Sequence, residues 1–308
     1  MRPPKNCPRC PCPGRWSRTS PQPAPAPSPS GLRPLPPRAR IDFCPCPAAG
    51  TGAPVRPRAP ASTVPAGDAR TDSAKDHPVS VPSFTRPVIR PDADILVRVP
   101  GLCLGCLVHE VEVEPSRPDC QKYLDDELAP RLVARMEGEP LSRWPNLGPS
   151  RAGCKACGKD PGRYRISSEA LYRRLKQGKG LYAINSVVDA NNIASLETGF
   201  SLGSYTLAEL RGDITFRRGL PGETYEGIGK GGLNLESLPL LADALGPFGS
   251  PVSDSTRALV DERTRICLTV IYGFDGAAPV AEALRTSAAV FARFCRCRPL
   301  CDPWCVQG

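Results

Sequence analysis

Hydrophobic positions change their spacing several times along the chain, and each change marks a predicted element. From Asp94 to Glu114 an apolar run gives way to alternation, with Val108, Glu110, Glu112 and Glu114 set against His109, Val111 and Val113. This reads as two strands meeting at Pro100-Gly101. Leu124, Leu128 and Leu132 recur every four residues and predict a helix from about Asp119 to Met136. Residues 144–165 are rich in Gly, Pro and basic residues without a period, the signature of a long loop. Ser167-Ser168-Glu169 then opens a helix, with Leu171 and Leu175 one turn apart and Gly178 ending it. Further on, RICLTVIYGF (265–274) suits a buried strand and 279–294 an amphipathic helix. The final CRCRPLCDPWCVQG (295–308) changes character abruptly and predicts a disordered, Cys-rich tail.

The stretch from Gly178 to Arg257 has a different texture. Apolar runs alternate with Gly, Asn, Asp and Ser, and uncharged polar side chains sit among hydrophobic ones, the pattern of a lined pocket. Asp189 has the chemistry of a helix N-cap and Gly199 that of a C-terminal stop. Between them Ile193 and Leu196 share one face, while Asp189, Asn192 and Ser195 form a polar row beside it. Two readings stay open: the row looks into a cleft, or Asp189 caps and Asn192 packs.

Composition matters mainly because it is uneven. Of 38 prolines in 308 residues, 22 lie in the first 90, which also hold 14 basic residues against four acidic ones. The overall charge of +9 therefore belongs to the N-terminal segment, and residues 91–308 are close to neutral. Residues 1–88, with Pro-Ala and Pro-Ser alternation and almost no aliphatic periodicity, predict a disordered Pro/Arg-rich extension. The folded part, expected over 89–294, lacks the bulk positive charge of a nucleic-acid binder. Any RNA contact there must come from a local patch. One is concentrated enough: Lys155, Lys159, Arg163, Arg165, Arg173, Arg174, Lys176 and Lys179. No run of apolar residues is long enough to span a bilayer, and proline interrupts any signal-peptide core, so the expected location is cytoplasmic and no membrane partner is expected.

Candidate chemistry narrows by elimination. Fifteen cysteines include the pairs Cys103-x-x-Cys106 and Cys154-x-x-Cys157, which have zinc-knuckle spacing. The first pair sits in a predicted strand, where residues three apart face opposite sides, and no metal and no cofactor is assigned. Gly227-Ile228-Gly229-Lys230-Gly231-Gly232 lacks the Ser/Thr that follows Lys in a nucleotide P-loop and reads as a flexible turn. His77 and His109, the two histidines, lie away from the pocket sequence. Catalysis would have to use carboxylates, amides, hydroxyls and water.

Several motifs together resemble a known family. Gly158-Lys159-Asp160-Pro161-Gly162-Arg163-Tyr164-Arg165, Ser168-Glu169-Ala170-Leu171, the run from Ile184 to Asn192, Ser195-Leu196-Glu197-Thr198-Gly199 and Leu233-Asn234-Leu235-Glu236 are similar to solo B3/4 domain proteins. These are stand-alone relatives of the editing domain of the phenylalanyl-tRNA synthetase β subunit. The resemblance implies an α+β, three-layer fold with an irregular β-sandwich. It also implies a pocket that in the synthetase hydrolyses mischarged aminoacyl-tRNA. The synthetase's pocket-lining Thr-Asn pair falls on Asn191 and Asn192; its histidine falls in the run Gly203-Ser204-Tyr205-Thr206, and its tyrosine-recognising glutamate in Cys267-Leu268-Thr269-Val270-Ile271, which has no acid.

The expected function is trans-editing ester hydrolysis on aminoacyl-tRNA. Asp189 and Asn192 form the reacting centre, with Glu226, Asp243 and Asp254 as further candidates for water activation. Asn185, Asn191, Ser195, Gly203 and Asn234 would bind the acyl end, and Arg163, Arg165, Arg173, Arg174 and Lys176 the tRNA phosphates. The rival is a module that binds RNA or an amino acid and has lost the chemistry.

Overall fold

The computed structural model describes residues 84–308. The expected disordered extension lies outside these residues except for 84–88, where Phe84 packs on the core and Arg86 sits over the Trp304 ring.

In chain order the elements are β1 (Ile89–Pro91), α1 (Ala93–Arg98), β2 (Cys103–Glu112), α2 (Pro118–Tyr123), α3 (Ala129–Gly138), α4 (Leu147–Ala156), α5 (Ser167–Lys176) and α6 (Ser186–Thr198). Then come β3 (Ser201–Thr206), β4 (Ile214–Arg218), β5 (Thr224–Gly227), β6 (Gly231–Asn234), β7 (Pro239–Asp243), β8 (Gly246–Gly249), β9 (Ile266–Gly273), α7 (Ala277–Phe294), β10 (Arg296–Pro299) and β11 (Trp304–Val306). One sheet has the order β10-β2-β9-β3, with β11 also on β2; a second runs β1-β4-β7-β8; β5 and β6 form a separate hairpin.

Period-two alternation in β2 and β9 sets the layers. Cys103, Leu107, Val111, Cys267 and Ile271 face the helices, where α6 and α7 supply Val187, Ile193, Val280 and Phe291. Leu104, Cys106, Val108, Leu268, Val270 and Tyr272 face the second sheet, meeting Ile214, Phe216, Leu241 and Phe248. The result is helices, sheet, sheet: an α+β fold in three layers. Cys103 and Cys106 accordingly lie in different cores.

Three expectations about elements are corrected. The apolar run at 94–99 is helix α1, not a strand, because Asp92 caps it by accepting from the Ile95 N–H at 2.8 Å. Part of the presumed loop 144–165 is helix α4, entered at Asn146 in a left-handed conformation (φ 69). The predicted 119–136 helix is present, but a π-helical turn at Leu124–Leu128 interrupts it just before Pro130, whose ring cannot follow a regular i−4 turn.

The largest correction is the C-terminal segment. Residues 296–306 run antiparallel along the whole free edge of β2 instead of forming a disordered tail. Arg296 and Arg298 stand opposite Glu112 and Glu110, and both pairs close as ion pairs at 3.2 and 2.6 Å.

Candidate nucleic-acid interface

Helix α6 carries most of the expected pocket. Its N-cap is Asn185, whose side chain accepts from the Val188 N–H at 2.9 Å and donates to the Val260 carbonyl at 3.3 Å. Asn185 therefore anchors the helix. Asp189, expected at the cap, sits one turn inside, where Oδ1 accepts from the Ile184 N–H at 3.0 Å. Gly199 ends the helix with φ 77, as expected, and a side chain there would also press the Pro145 carbonyl.

The polar row does not line one hollow. Asn191 and Asn192 are successive helical residues, about 100° apart around the axis. Asn191 turns toward β3: Oδ1 accepts from the Ser204 hydroxyl at 3.0 Å, and Ser204 in turn meets Thr269 at 2.9 Å. Ser195 is buried and donates to the Phe200 carbonyl at 2.6 Å. Asp189 and Asn192 alone face a notch of about 10 Å³, shared with Cys120, Gln121, Leu124, Leu181, Tyr182 and Ile193. That volume is near the minimum for a single water.

The other candidates are dispersed. Gly203 lies in β3, where a Cβ would come within 1.9 Å of the Tyr205 hydroxyl; the same hydroxyl would meet a Cβ on Gly249 at 2.1 Å. Tyr205 therefore fills the space between two glycines. Its hydroxyl donates to Asp254 at 2.7 Å and meets the Tyr272 hydroxyl. Burial raises the Asp254 carboxyl to about 7, against the opposing pull of the Tyr205 hydroxyl, the Ser250 N–H and Lys230. Asp243 has a side chain with 0% exposure and is saturated by Arg257 at 2.8 Å and the N–H groups of Arg211 and Leu245. It is a structural anchor, with no lone pair left for water activation. Glu226 is exposed on the β5–β6 hairpin, and Asn234 closes that hairpin, accepting from the Glu236 N–H at 2.8 Å. The glycine run 227–232 is the turn between β5 and β6. Asp254 is bonded to Tyr205 of the core between the sheets and Asp189 lies in α6 of the helix layer, so the expected catalytic residues do not converge.

Two of the expected basic residues, Arg165 and Arg173, do converge. Glu169, in the first turn of α5, has a side chain only 4% exposed and accepts from Arg151 Nη1 at 2.6 Å and Arg173 Nε at 2.8 Å, with Arg165 Nε at 3.8 Å. One buried carboxylate thus gathers three guanidinium groups and leaves the cluster net positive. Its setting is rigid. The Ser167 N–H donates to the Pro251 carbonyl at 2.7 Å, and Tyr172 donates to the Leu196 carbonyl at 2.5 Å. Beside it opens a cleft of about 530 Å³ lined by Arg151, Lys155, Lys159 and the loop Gly158–Gly162. Lys159 is not available to a ligand there: its amine donates to the carbonyls of Asn234 and Glu236 at 2.9 and 2.7 Å, over the Tyr164 ring. Burial lowers its pKa. Arg163 is exposed at the rim, while Arg174 and Lys176 lie at the far end of α5.

Sequence reasoning found the arginines of α5 but missed Arg151, which comes from the unanticipated helix α4, and read Glu169 only as part of a helix start. Among the described residues no cluster of three or more His, Cys, Asp or Glu side chains could hold a metal ion, and no helix is long and apolar enough to cross a membrane.

Comparison with known proteins gives one family. The model of the B3/4 domain matches residues 150–297. A crystal structure of an N-terminal fragment of the phenylalanyl-tRNA synthetase β subunit from Pyrococcus horikoshii aligns with a TM-score of 0.35 and 13% identity, over 68% of this chain and 49% of that one. The chain thus spans about half the length of that fragment. No curated protein sequence matches at a significant level. The match begins within α4 and ends within β10, enclosing the arginine cluster, α6 and both expected asparagines: residues 150–297 of this chain match the B3/4 domain.

Proposed function

We propose that this domain binds RNA through the phosphate backbone, using the basic face of α4, α5 and the 158–165 loop, and does not itself hydrolyse an aminoacyl ester. One observation carries the reading. Space and positive charge coincide at Arg151, Lys155 and the Glu169-held arginines, whereas the expected acyl site at Asp189 and Asn192 has room for about one water. An aminoacyl group held in line with a nucleophilic water needs an enclosed site with donors aimed at the developing oxyanion. Asn191 and Ser195, which would furnish part of that site, spend their hydrogen bonds on neighbouring backbone and side chains.

The test is direct. Titrate the full chain with labelled tRNA over a range of salt concentrations, and compare Arg163→Ala and Arg173→Ala. Each substitution should weaken binding and flatten the dependence of log K on log salt by about 0.7–0.9 per lost contact. An unchanged slope would assign binding to some other surface, including the basic extension. In parallel, incubation with a panel of mischarged tRNAs should show no ester hydrolysis above buffer. Hydrolysis that disappears in Asn192→Ala would restore the editing function in place of this one.

A further inference from the structure

Beyond the phosphate-binding face, the connection between α5 and α6 presents an aromatic ring. Tyr182 is 66% exposed and follows the basic residues at the end of α5. The Arg174 guanidinium carbon lies 3.8 Å from the ring centroid and covers one face. With that face taken and two-thirds of the residue exposed, the other face is turned to solvent. Arg174 is held in this position by its own contacts: Nη2 donates to the Lys179 carbonyl at 3.4 Å, and among the described residues no carboxylate pairs with it and its buried Nε has no partner. Lys176 and Lys179 flank the pair and are exposed. At the ring's edge the notch brings the side chains of Asn192 and Gln121, each with an amide donor and acceptor.

An exposed tyrosine backed by a guanidinium, among lysines and beside the Asn192 and Gln121 amides, has the composition of a stacking platform for an unpaired base. A ring held open in this setting offers its free face to a base. The α5 helix, ten residues long, spans about 15 Å, so a strand stacked at Tyr182 reaches the Glu169 cluster within a few nucleotides. Asp125, bonded to Gln121 at 2.9 Å, lies in the π-helical turn that follows α2.

We infer that Tyr182, backed by Arg174, stacks an unpaired nucleobase, so that the RNA bound by this domain is single-stranded where it passes the C-terminal end of α5. The inference rests on the phosphate-binding function proposed above and names the form of RNA it takes.

The experiment uses the full chain and two labelled RNAs of about 12 nucleotides, one unstructured and one duplex. Tyr182→Ala should weaken the unstructured RNA about tenfold and leave the duplex within about twofold, while Tyr182→Trp restores affinity. In the Trp variant, emission should be quenched as the unstructured RNA stacks on the indole. Because Tyr182 is exposed, the thermal midpoint should hold in both variants. Equal affinity of Tyr182→Ala and the wild-type chain for unstructured RNA, with Arg173→Ala still weakening it, would overturn the stacking platform and leave the phosphate face standing. Binding of neither RNA by the wild-type chain would overturn both.

Discussion

Asp254 offers the sharpest test of the structure because its protonation state couples directly to folding. Its carboxyl accepts from Tyr205 at 2.7 Å and from the Ser250 N–H at 3.2 Å, with Tyr272 and Tyr225 close by and Lys230 the nearest cation. Burial lifts its pKa from 3.8 to about 7, so the native state holds the proton more tightly than the unfolded chain. For a group raised in this way, stability is greatest below the unfolded pKa and declines as pH rises toward the folded one. The full effect is about 4 kcal/mol, and about 2 kcal/mol after allowing for solvent reaching a half-buried residue. Asp254→Asn keeps an acceptor for Tyr205 and removes the charge. Urea unfolding followed by fluorescence at about pH 5.5 and about pH 8 should show the wild type losing stability between the two while the variant does not. At the higher pH the variant should be the more stable protein. Parallel pH profiles for the two proteins would refute the reasoning, since they would mean that the carboxyl is ionised throughout and the Tyr205–Asp254 bond does not depend on a proton.

Other substitutions probe the remaining joints of the structure. Glu169→Gln removes the charge that holds Arg151, Arg165 and Arg173 and should cost about 2 kcal/mol in chemical denaturation, between the values for exposed and fully buried ion pairs because the carboxylate is buried and the arginines are exposed. Gly203→Ala places a methyl group against the Tyr205 hydroxyl in the core and should destabilise by about 3 kcal/mol, seen as a lowered thermal midpoint; a neutral result would show that Tyr205 does not occupy that space. Ending the chain after Phe294 strips β10 and β11 from β2 and should lower the melting temperature and promote association through the bared edge. A truncated protein with the wild-type midpoint would mean that the strands contribute nothing. Among the described cysteines, exposed Cys305 should react first with maleimide, ahead of Cys120 and Cys154, whose thiols burial raises to about 12.

Local pattern alone determined a good deal. Alternation in β2, the β-rich run of β9, the amphipathic spacing of α7 and the glycine stop at 199 each depend on residues close in sequence, and each element forms over the segment that predicts it. The B3/4 domain was equally legible, because its motifs are runs of adjacent residues. The C-terminal strands were not, since Cys297, Cys301 and Cys305 among prolines and arginines acquire order only from the Glu110 and Glu112 side of β2, some 180 residues away.

The site divides along the same line. Sequence marked Asn191 and Asn192 as a pair, but helical rotation sends one toward Ser204 and the other to a small notch. Asp189 has the right chemistry for a cap, yet Asn185 takes the role because its amide can also reach the Val260 carbonyl. Arg151 and Arg173 come from different helices and meet only at a buried carboxylate. Residue type and spacing decide which faces a segment offers; burial and long-range packing decide which polar groups are used up within the fold and which remain for a ligand.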